Sequence, residues 1–474
     1  MTAPLSASTP SALDGTSDGD RVGMNARTRV LLEGRIVPTL LRMAWPNILV
    51  MVAQAATGLI ETWFVSRLGT DALAGMALVF PGFMMMQMLS AGAVGGGISS
   101  AVARALGAGR RKDADAIVMH AIFVNVGLGL LFSVLFIAFG SQLYTAMGGE
   151  GASLRAALDY SNVAFAGAVL VWFMNALASV LRGTGNMIVP SLAVCGGVVL
   201  LVPLSPLLIF GMGPIPGMGI AGGAVAVLLT TALTAAALAW YLWSGRAVVR
   251  PVLPRLRRAL FMDILHVGAI GSINTLQTSL VFALATALVG MSGGPHAVAG
   301  YGTGARLEYL LIPLVFGLGA PMVALVGTNI GAGQRARALR IAMTGGTIAF
   351  ALTEAIGLVV AIWPHAWLGL FGDDPRMLAT GEAYLRIVGP AYGFFGLGLA
   401  LYFASQGAGR LLWPLIASAV RLVIGVGGGW MVLRFTGSLD GLFGALTVAL
   451  IVYGVLVASA IASGVWFQPV LARG

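Results

Sequence analysis

The chain has 474 residues, of which 58% are hydrophobic and 9% charged, with a mean hydropathy of +0.94. A soluble domain is roughly a quarter charged, so a water-facing surface cannot be built from this composition. Soluble enzyme, disordered protein and secreted scaffold are all excluded. A membrane-spanning helix needs about 20 mostly apolar residues, so 58% of 474 residues suffices for about a dozen. The 67 glycines are about twice the usual share of ~7%, which suits closely packed membrane helices.

Residues 1–37 carry Ser, Pro, Asp and Arg without an apolar h-region. They read as a disordered cytosolic tail rather than a signal peptide. Apolar stretches of spanning length follow at about 39–66, 73–103, 116–139, 155–180, 188–211 and 218–243. Six more run at about 263–291, 297–327, 338–363, 377–405, 411–435 and 442–467. The breaks carry turn chemistry, as in Gly69-Thr70-Asp71, Gly148-Gly149-Glu150 and Ser292-Gly293-Gly294-Pro295. The expected fold is therefore all-α and polytopic, with twelve transmembrane helices.

The net charge of +10 reports on topology. With the amino terminus inside, the inner loops and tails hold 19 of the 27 Lys and Arg, among them Arg104, Arg110, Arg111 and Lys112. The outer loops hold four, and Arg42, Arg306, Arg386 and Arg421 fall within spans. This asymmetry predicts cytosolic termini in an inner (cytoplasmic) membrane, and the basic balance is not a nucleic-acid footprint. The lone Cys195 has no intramolecular disulfide partner and says nothing about redox compartment.

A repeat runs through the chain. Gly107-Ala108-Gly109-Arg110 recurs as Gly331-Ala332-Gly333-Gln334, an offset of 224. At the same offset Gly183-Thr184-Gly185 becomes Gly407-Ala408-Gly409, Pro190 becomes Pro414, and Tyr160 becomes Tyr384. Two six-helix halves of equal orientation follow, related about an axis along the membrane normal. The expected organisation is an amino-terminal lobe over 38–243, a basic cytosolic linker over 244–262, a carboxy-terminal lobe over 263–467 and a short tail over 468–474. Such parallel repeats commonly hold substrate between them and work by rocking.

The landmarks resemble a known family. Trp45-Pro46, Gly69-Thr70-Asp71-Ala72-Leu73-Ala74-Gly75 and the paired Gly-Ala-Gly loops are similar to those of multidrug and toxic compound extrusion (MATE) transporters. So are Arg182-Gly183-Thr184-Gly185-Asn186, Pro206-Leu207-Leu208-Ile209-Phe210-Gly211 and Val326-Gly327-Thr328-Asn329-Ile330-Gly331-Ala332-Gly333. The resemblance covers roughly 36–467 and rests on the order and spacing of the motifs. It implies a two-lobe antiporter that exports organic cations or amphipathic drugs in exchange for H⁺ or Na⁺. No bound cofactor is expected, the chain is taken as a monomer in the lipid bilayer, and nucleic acid is not a partner.

An ionisable group inside a bilayer costs several kcal/mol (~3 to over 10), so each one calls for an explanation. Glu61, Glu308 and Glu354 are the acids well inside spans, with Glu382 near an outer end. Glu61 lies about 8 Å from the outer end of its helix. The resemblance places it where the family typically carries an Asp in the amino-lobe cation site; the alternative is a side chain snorkelling to the headgroups. Family members that bind Na⁺ there often show Asn and Asp where this chain has Leu201 and Ser205, and the family's helix-6 Thr is replaced by Val227. With only Glu61 and Ser205 left as oxygen ligands, H⁺ is favoured over Na⁺. Glu308, near mid-bilayer, reads either as a second cation-coupling site or as one half of a buried ion pair, with Arg421 as candidate partner. Arg306, two residues away, does not share its face. Glu354 is expected to be structural.

The amides Gln54, Asn175, Asn274 and Gln277 are candidates for substrate contact or for bonds between helices. Met84 and Met88, in the run Met84-Met85-Met86-Gln87-Met88, offer a surface that repacks around varied ligands, against plain core and lipid packing. Trp172, Phe173 and Tyr392 are candidates to stack on cationic drugs, against the interface-belt role of most membrane aromatics. Pro46, Pro390 and Pro414 are expected to break the backbone ladder of their helices. No Walker A sequence and no metal-ligand spacing of His is present, which argues against an enzyme. A flippase for lipid-linked sugars and a membrane-embedded transferase stand as alternatives. The first would line its cleft with basic residues, the second would need a catalytic His/Asp cluster.

Overall fold

The computed structural model describes residues 25–467 except Pro254. Among the described residues, ten helices are long and apolar enough to cross a bilayer, and a bent pair makes an eleventh. One of the ten runs for 74 residues, Arg258–Gly331, about 110 Å at 1.5 Å per residue, far beyond a single crossing of ~30 Å. It is two spans joined at Gly294, whose φ of 67° and ψ of −165° are non-helical. Glycine supplies that left-handed φ without strain, and Pro295 then starts the next helix.

The twelve spans are α1 (Ile36–Ser66), α2 (Thr70–Gly107), α3 (Arg111–Ala146), α4 (Gly151–Ala166 with Ala168–Gly183), α5 (Ile188–Phe210) and α6 (Ile220–Trp243). The second half follows as α7 (258–293), α8 (295–331), α9 (Arg335–Ile362), α10 (Pro375–Ala408), α11 (Leu412–Thr436) and α12 (Leu439–Ala462). Twelve is even, so both ends of the described residues lie on one side of the bilayer, the terminal side. The far-side loop between α5 and α6 carries a minute hairpin, β1 (Gly211–Met212) paired with β2 (Ile215–Pro216). Exposed apolar side chains such as Leu59, Val199 and Phe435 cover the outer faces, as a lipid-facing surface requires.

The repeat is visible in three dimensions. α4 bends by 46° at Gly167, and its counterpart α10 passes through a 3₁₀ turn at Gly389–Ala391. Gly109 and Gly333, equivalent positions, end α2 and α8 with φ of 71° and 72°. Across the seam between the lobes, Gly107 meets the backbone of Thr328 and Gly331 meets the backbone of Arg104. Those pairs are images of one another at offset 224, so the two halves face each other about a two-fold axis. A Cβ at either glycine would clash with backbone.

Several expectations shift. The disordered tail drawn over 1–37 ends earlier: Ala26–Glu33 is helical, capped by the Asn25 side chain, and α1 begins at Ile36. The rest of that tail, and the tail at 468–474, lie outside the described residues. The linker is shorter than 244–262, because α7 starts at Arg258. It is also anchored. Arg257 donates its guanidinium to Asp113 at 2.6 Å and its backbone N–H to His120 Nε2 at 3.0 Å, while the Arg250 N–H donates to Asp115. The boundary at residue 38 is not sharp either, since Leu31, Leu40, Met43 and Ala44 pack into the carboxy-lobe core. Pro414 does not interrupt α11; it sits in the first turn, where its missing N–H would have had no helical partner. Pro46 lies inside α1 as expected.

Candidate transport site

Each lobe buries one carboxylate inside its own bundle. In the amino lobe Glu61, on the far half of α1, is 2% exposed. Ser205 on α5 donates its hydroxyl to Oε1 at 3.1 Å, and Tyr160 on α4 donates to Oε2 at 3.4 Å. Gly223 of α6 closes the fourth side; a Cβ there would stand 3.4 Å from Oε2. The side chain is thus turned into the lobe rather than toward the headgroups, and snorkelling does not describe it. Among the described residues Glu61 has no basic partner within ion-pair distance, unlike Glu308.

Glu308, 4% exposed on α8, forms an ion pair with Arg421 of α11 at 2.8 Å and accepts from the Tyr384 hydroxyl at 3.0 Å. The Arg421 guanidinium lies over the rings of Phe395 and Tyr453, 5.0 and 5.7 Å from their centroids. Tyr301 meets Tyr384 edge-on, and a narrow cavity beside the pair is lined by Phe282, Tyr301 and Tyr384. Arg306 takes no part: its guanidinium is over Phe371, 5.5 Å from the centroid. Glu354 accepts the backbone N–H of Gly393 at 2.7 Å, tying α9 to the break in α10.

The amides divide. Asn175 donates to Gln87 Oε1 at 3.2 Å and to Ser90 Oγ at 2.9 Å, bracing the π-helical turn Met88–Val94 of α2. Asn274 is buried and accepts from Ser418 at 2.6 Å, a bond between α7 and α11. Gln277 is half-buried, with its Oε1 unpartnered. Gln54 is exposed on α1 and shares a cavity with Asn175, Asn47, Arg182 and, from the other lobe, Phe316. Met84 and Met88 are exposed whereas Met86 is fully buried, as a helix distributes successive positions over different faces. Trp172 and Tyr392 correct the expectation of exposed stacking platforms. They are 1% and 0% exposed, inside the amino- and carboxy-lobe cores, with Trp172 against Phe132. Phe173 is half-buried.

Two arginines assigned to loops by the spacing of spans are interior. Arg104 is packed between the lobes, donating to Asp263 of α7 at 2.6 Å and to the Gly407 carbonyl at 3.2 Å, with Ser100 also in contact. Arg182 is 8% exposed, in the last turn of α4. Arg104 belongs to a seal made wholly from the terminal halves of the helices. Asn47 donates to the Phe316 carbonyl at 3.0 Å, Ser100 to the Gly407 carbonyl at 3.0 Å, Gln406 to the Gly92 carbonyl at 3.1 Å and Asn329 to the Leu31 carbonyl at 3.1 Å. The lobes are closed against each other on the terminal side. Tyr160 and Tyr384 were visible only as repeat landmarks; their constant offset was the one signal that they do equivalent work.

The MatE family model matches residues 46–207 and matches again at 272–431, one copy per lobe. The FAD transporter of Shewanella oneidensis is 28% identical over 397 residues, covering 83% of this chain and 87% of that protein. The probable multidrug resistance protein NorM of Thermotoga maritima is 24% identical, with 81% and 82% covered. Among solved structures, a MATE crystal structure in the bent conformation superposes with a TM-score of 0.85 at 25% identity, covering 93% of this chain and 99% of that one. An outward-facing MATE family transporter of the MOP superfamily gives 0.83 at 25% identity, with the same coverage.

Proposed function

The chain belongs to the MatE family, a multi-pass membrane transporter and not an enzyme, and from that membership we propose that it is a secondary active exporter of small organic cations or amphipathic drugs. Export runs by antiport, with H⁺ as the favoured coupling ion, and by alternating access between the two lobes. The relatives named as multidrug resistance and export proteins support the substrate class. The chain resides in the cytoplasmic membrane as a monomer with both termini in the cytosol, a reading supported by the arginine-rich terminal-side loops. On that orientation, the seal described above closes the cytosolic side.

The observation that carries the coupling is Glu61, buried and held only by hydroxyl donors. A carboxylate without a basic partner changes charge when it takes up a proton, so its protonation state alters what the amino lobe binds and how it packs. Na⁺ prefers several oxygen ligands, and Leu201 and Val227, at positions where the resemblance implies oxygen ligands, supply no side-chain oxygen. In the proposed cycle the outward-facing protein takes up a proton at Glu61 as drug leaves; the inward-facing protein returns the proton to the cytosol and rebinds drug. Glu308, already neutralised by Arg421, serves the carboxy lobe as a fixed ion pair.

The test is ethidium efflux from proteoliposomes under an imposed ΔpH or an imposed Na⁺ gradient. Efflux driven by ΔpH alone is expected. Drive by Na⁺ alone would reverse the choice of ion, and lipid scrambling without ethidium movement would replace the exporter with a flippase.

A further inference from the structure

We propose that Arg182 is an anion-binding anchor in the transport pathway, so that molecules moved by this chain carry a phosphate or carboxylate as well as an apolar or cationic body. The inference rests on the transport reading above for the pathway and goes beyond it for the chemistry of the cargo.

Arg182 is 8% exposed and lines the cavity between α1, α4, α5 and Phe316 of the opposite lobe. A guanidinium carries five N–H donors and is never deprotonated. The structure gives Arg182 one side-chain partner, Ser179 Oγ at 3.0 Å. Among the described residues it forms no ion pair, and the cavity lining includes no Asp or Glu. Its place in the last turn of α4 offsets part of the charge through the helix dipole but leaves the remaining donors without acceptors.

The neighbouring polar groups are amides and a hydroxyl. Asn47, Asn175 and Ser191 are each already committed as donors, to Phe316, to Gln87 and Ser90, and to Met187. Gln54, on the α1 side of the cavity, forms no side-chain hydrogen bond among the described residues. The cavity therefore presents a single positive charge with uncommitted donors and no negative counterpart. A planar fork of this kind matches a carboxylate or phosphate bidentately. The contrast with Arg104 and Arg421 is direct, since each of those has its own acid.

Riboflavin 5′-phosphate and riboflavin form a probe pair that differs only in the phosphate. Their binding is read by flavin fluorescence quenching on the full-length protein in phosphatidylcholine nanodiscs, which needs no transport and so stands apart from the export assay. The wild type is expected to prefer the phosphate form at least tenfold. Arg182→Gln should erase that preference and tighten ethidium binding a few-fold, because a repelling charge is gone; Arg182→Lys should restore part of it. Matched thermal melts of both variants separate these effects from misfolding. Doping the nanodiscs with phosphatidylglycerol identifies the source of the anion: competition with riboflavin 5′-phosphate means a lipid headgroup reaches Arg182, and no competition means a soluble cargo. Equal binding of the two flavins by the wild type would overturn the proposal. So would an Arg182→Gln variant that keeps the preference or weakens ethidium and flavin alike.

Discussion

The two lobes treat the same problem, a carboxylate in a membrane interior, in opposite ways. Tyr160 and Tyr384 are repeat images, and each donates its hydroxyl to the buried acid of its own lobe. The acids themselves are not images: Glu61 comes from the first helix of its lobe and Glu308 from the second of the other. In the amino lobe the second partner is the Ser205 hydroxyl, so the net charge of the pocket follows the protonation of Glu61. In the carboxy lobe it is Arg421, so the pocket is neutral while Glu308 is ionised. In the proposed cycle one site changes charge and the other holds it. At the position equivalent to Glu61, residue 285, the carboxy lobe has alanine, and its α7–α11 contact is instead the bond from Ser418 to Asn274.

The sharpest way to break this comparison is to remove one half of the carboxy-lobe pair. Arg421→Met leaves Glu308 buried without its counter-charge, and a loss of about 3–5 kcal/mol is expected, read as a lowered melting temperature of the purified protein. Glu308→Leu combined with Arg421→Met should recover most of that loss, since well-packed apolar replacements of a buried pair are often neutral or better. A single variant as stable as the parent would show that the pair is not what holds α8 to α11.

A smaller effect comes from the equivalent tyrosines. Tyr160→Phe and Tyr384→Phe each delete one hydrogen bond to a charged group, worth about 1.5–3 kcal/mol. The account expects Tyr160→Phe to displace the pH profile of ethidium efflux and Tyr384→Phe to leave that profile in place while lowering the melting temperature. Equal displacement by both would erase the distinction between the lobes.

The seam between the lobes offers a kinetic test. Thr328 is 1% exposed beside Gly107 of the opposite lobe. In a background with Cys195→Ala, Thr328→Cys should react slowly with a water-soluble maleimide. Adding Asp263→Asn, which removes the acid from Arg104, should speed labelling several-fold as the terminal side opens more often.

The smallest expected effect concerns Asp374, an exposed residue that caps α10. The backbone N–H of Met377 is the leading cause holding its carboxyl below the ordinary value, with His296 and the Arg376 backbone adding to it. A depressed pKa contributes stability above the unfolded-state value and loses it as pH falls through the folded one. Asp374→Ala should therefore melt slightly lower than the parent at neutral pH, with the gap closing below about pH 4.

The architecture was legible because its signals are long. Twenty-residue apolar runs, turn glycines and an offset held at 224 across 80 residues mark spans, lobes and axis without any side-chain detail. Ser205 beside Glu61 was a candidate through the family resemblance, and Arg421 beside Glu308 was one of two readings left open, because few charges within spans could pair with a buried acid. Burial of individual aromatics was not. Trp172 and Tyr392 look the same in sequence whether they face lipid, cleft or core, and packing alone decides. Arg104 and Arg182 were missed for a related reason. Hydropathy ends a span at the first charge, whereas α2 and α4 continue as helix to Gly107 and Gly183.

The central claim is that Glu61 exchanges a proton against substrate, and proton release on binding measures it most directly. Ethidium added to the purified protein in weakly buffered detergent solution, with a pH-indicator dye present, should release close to one proton per bound ethidium from the wild type and none from Glu61→Gln. Glu308→Gln should release as much as the parent. Undiminished release from Glu61→Gln would contradict the account.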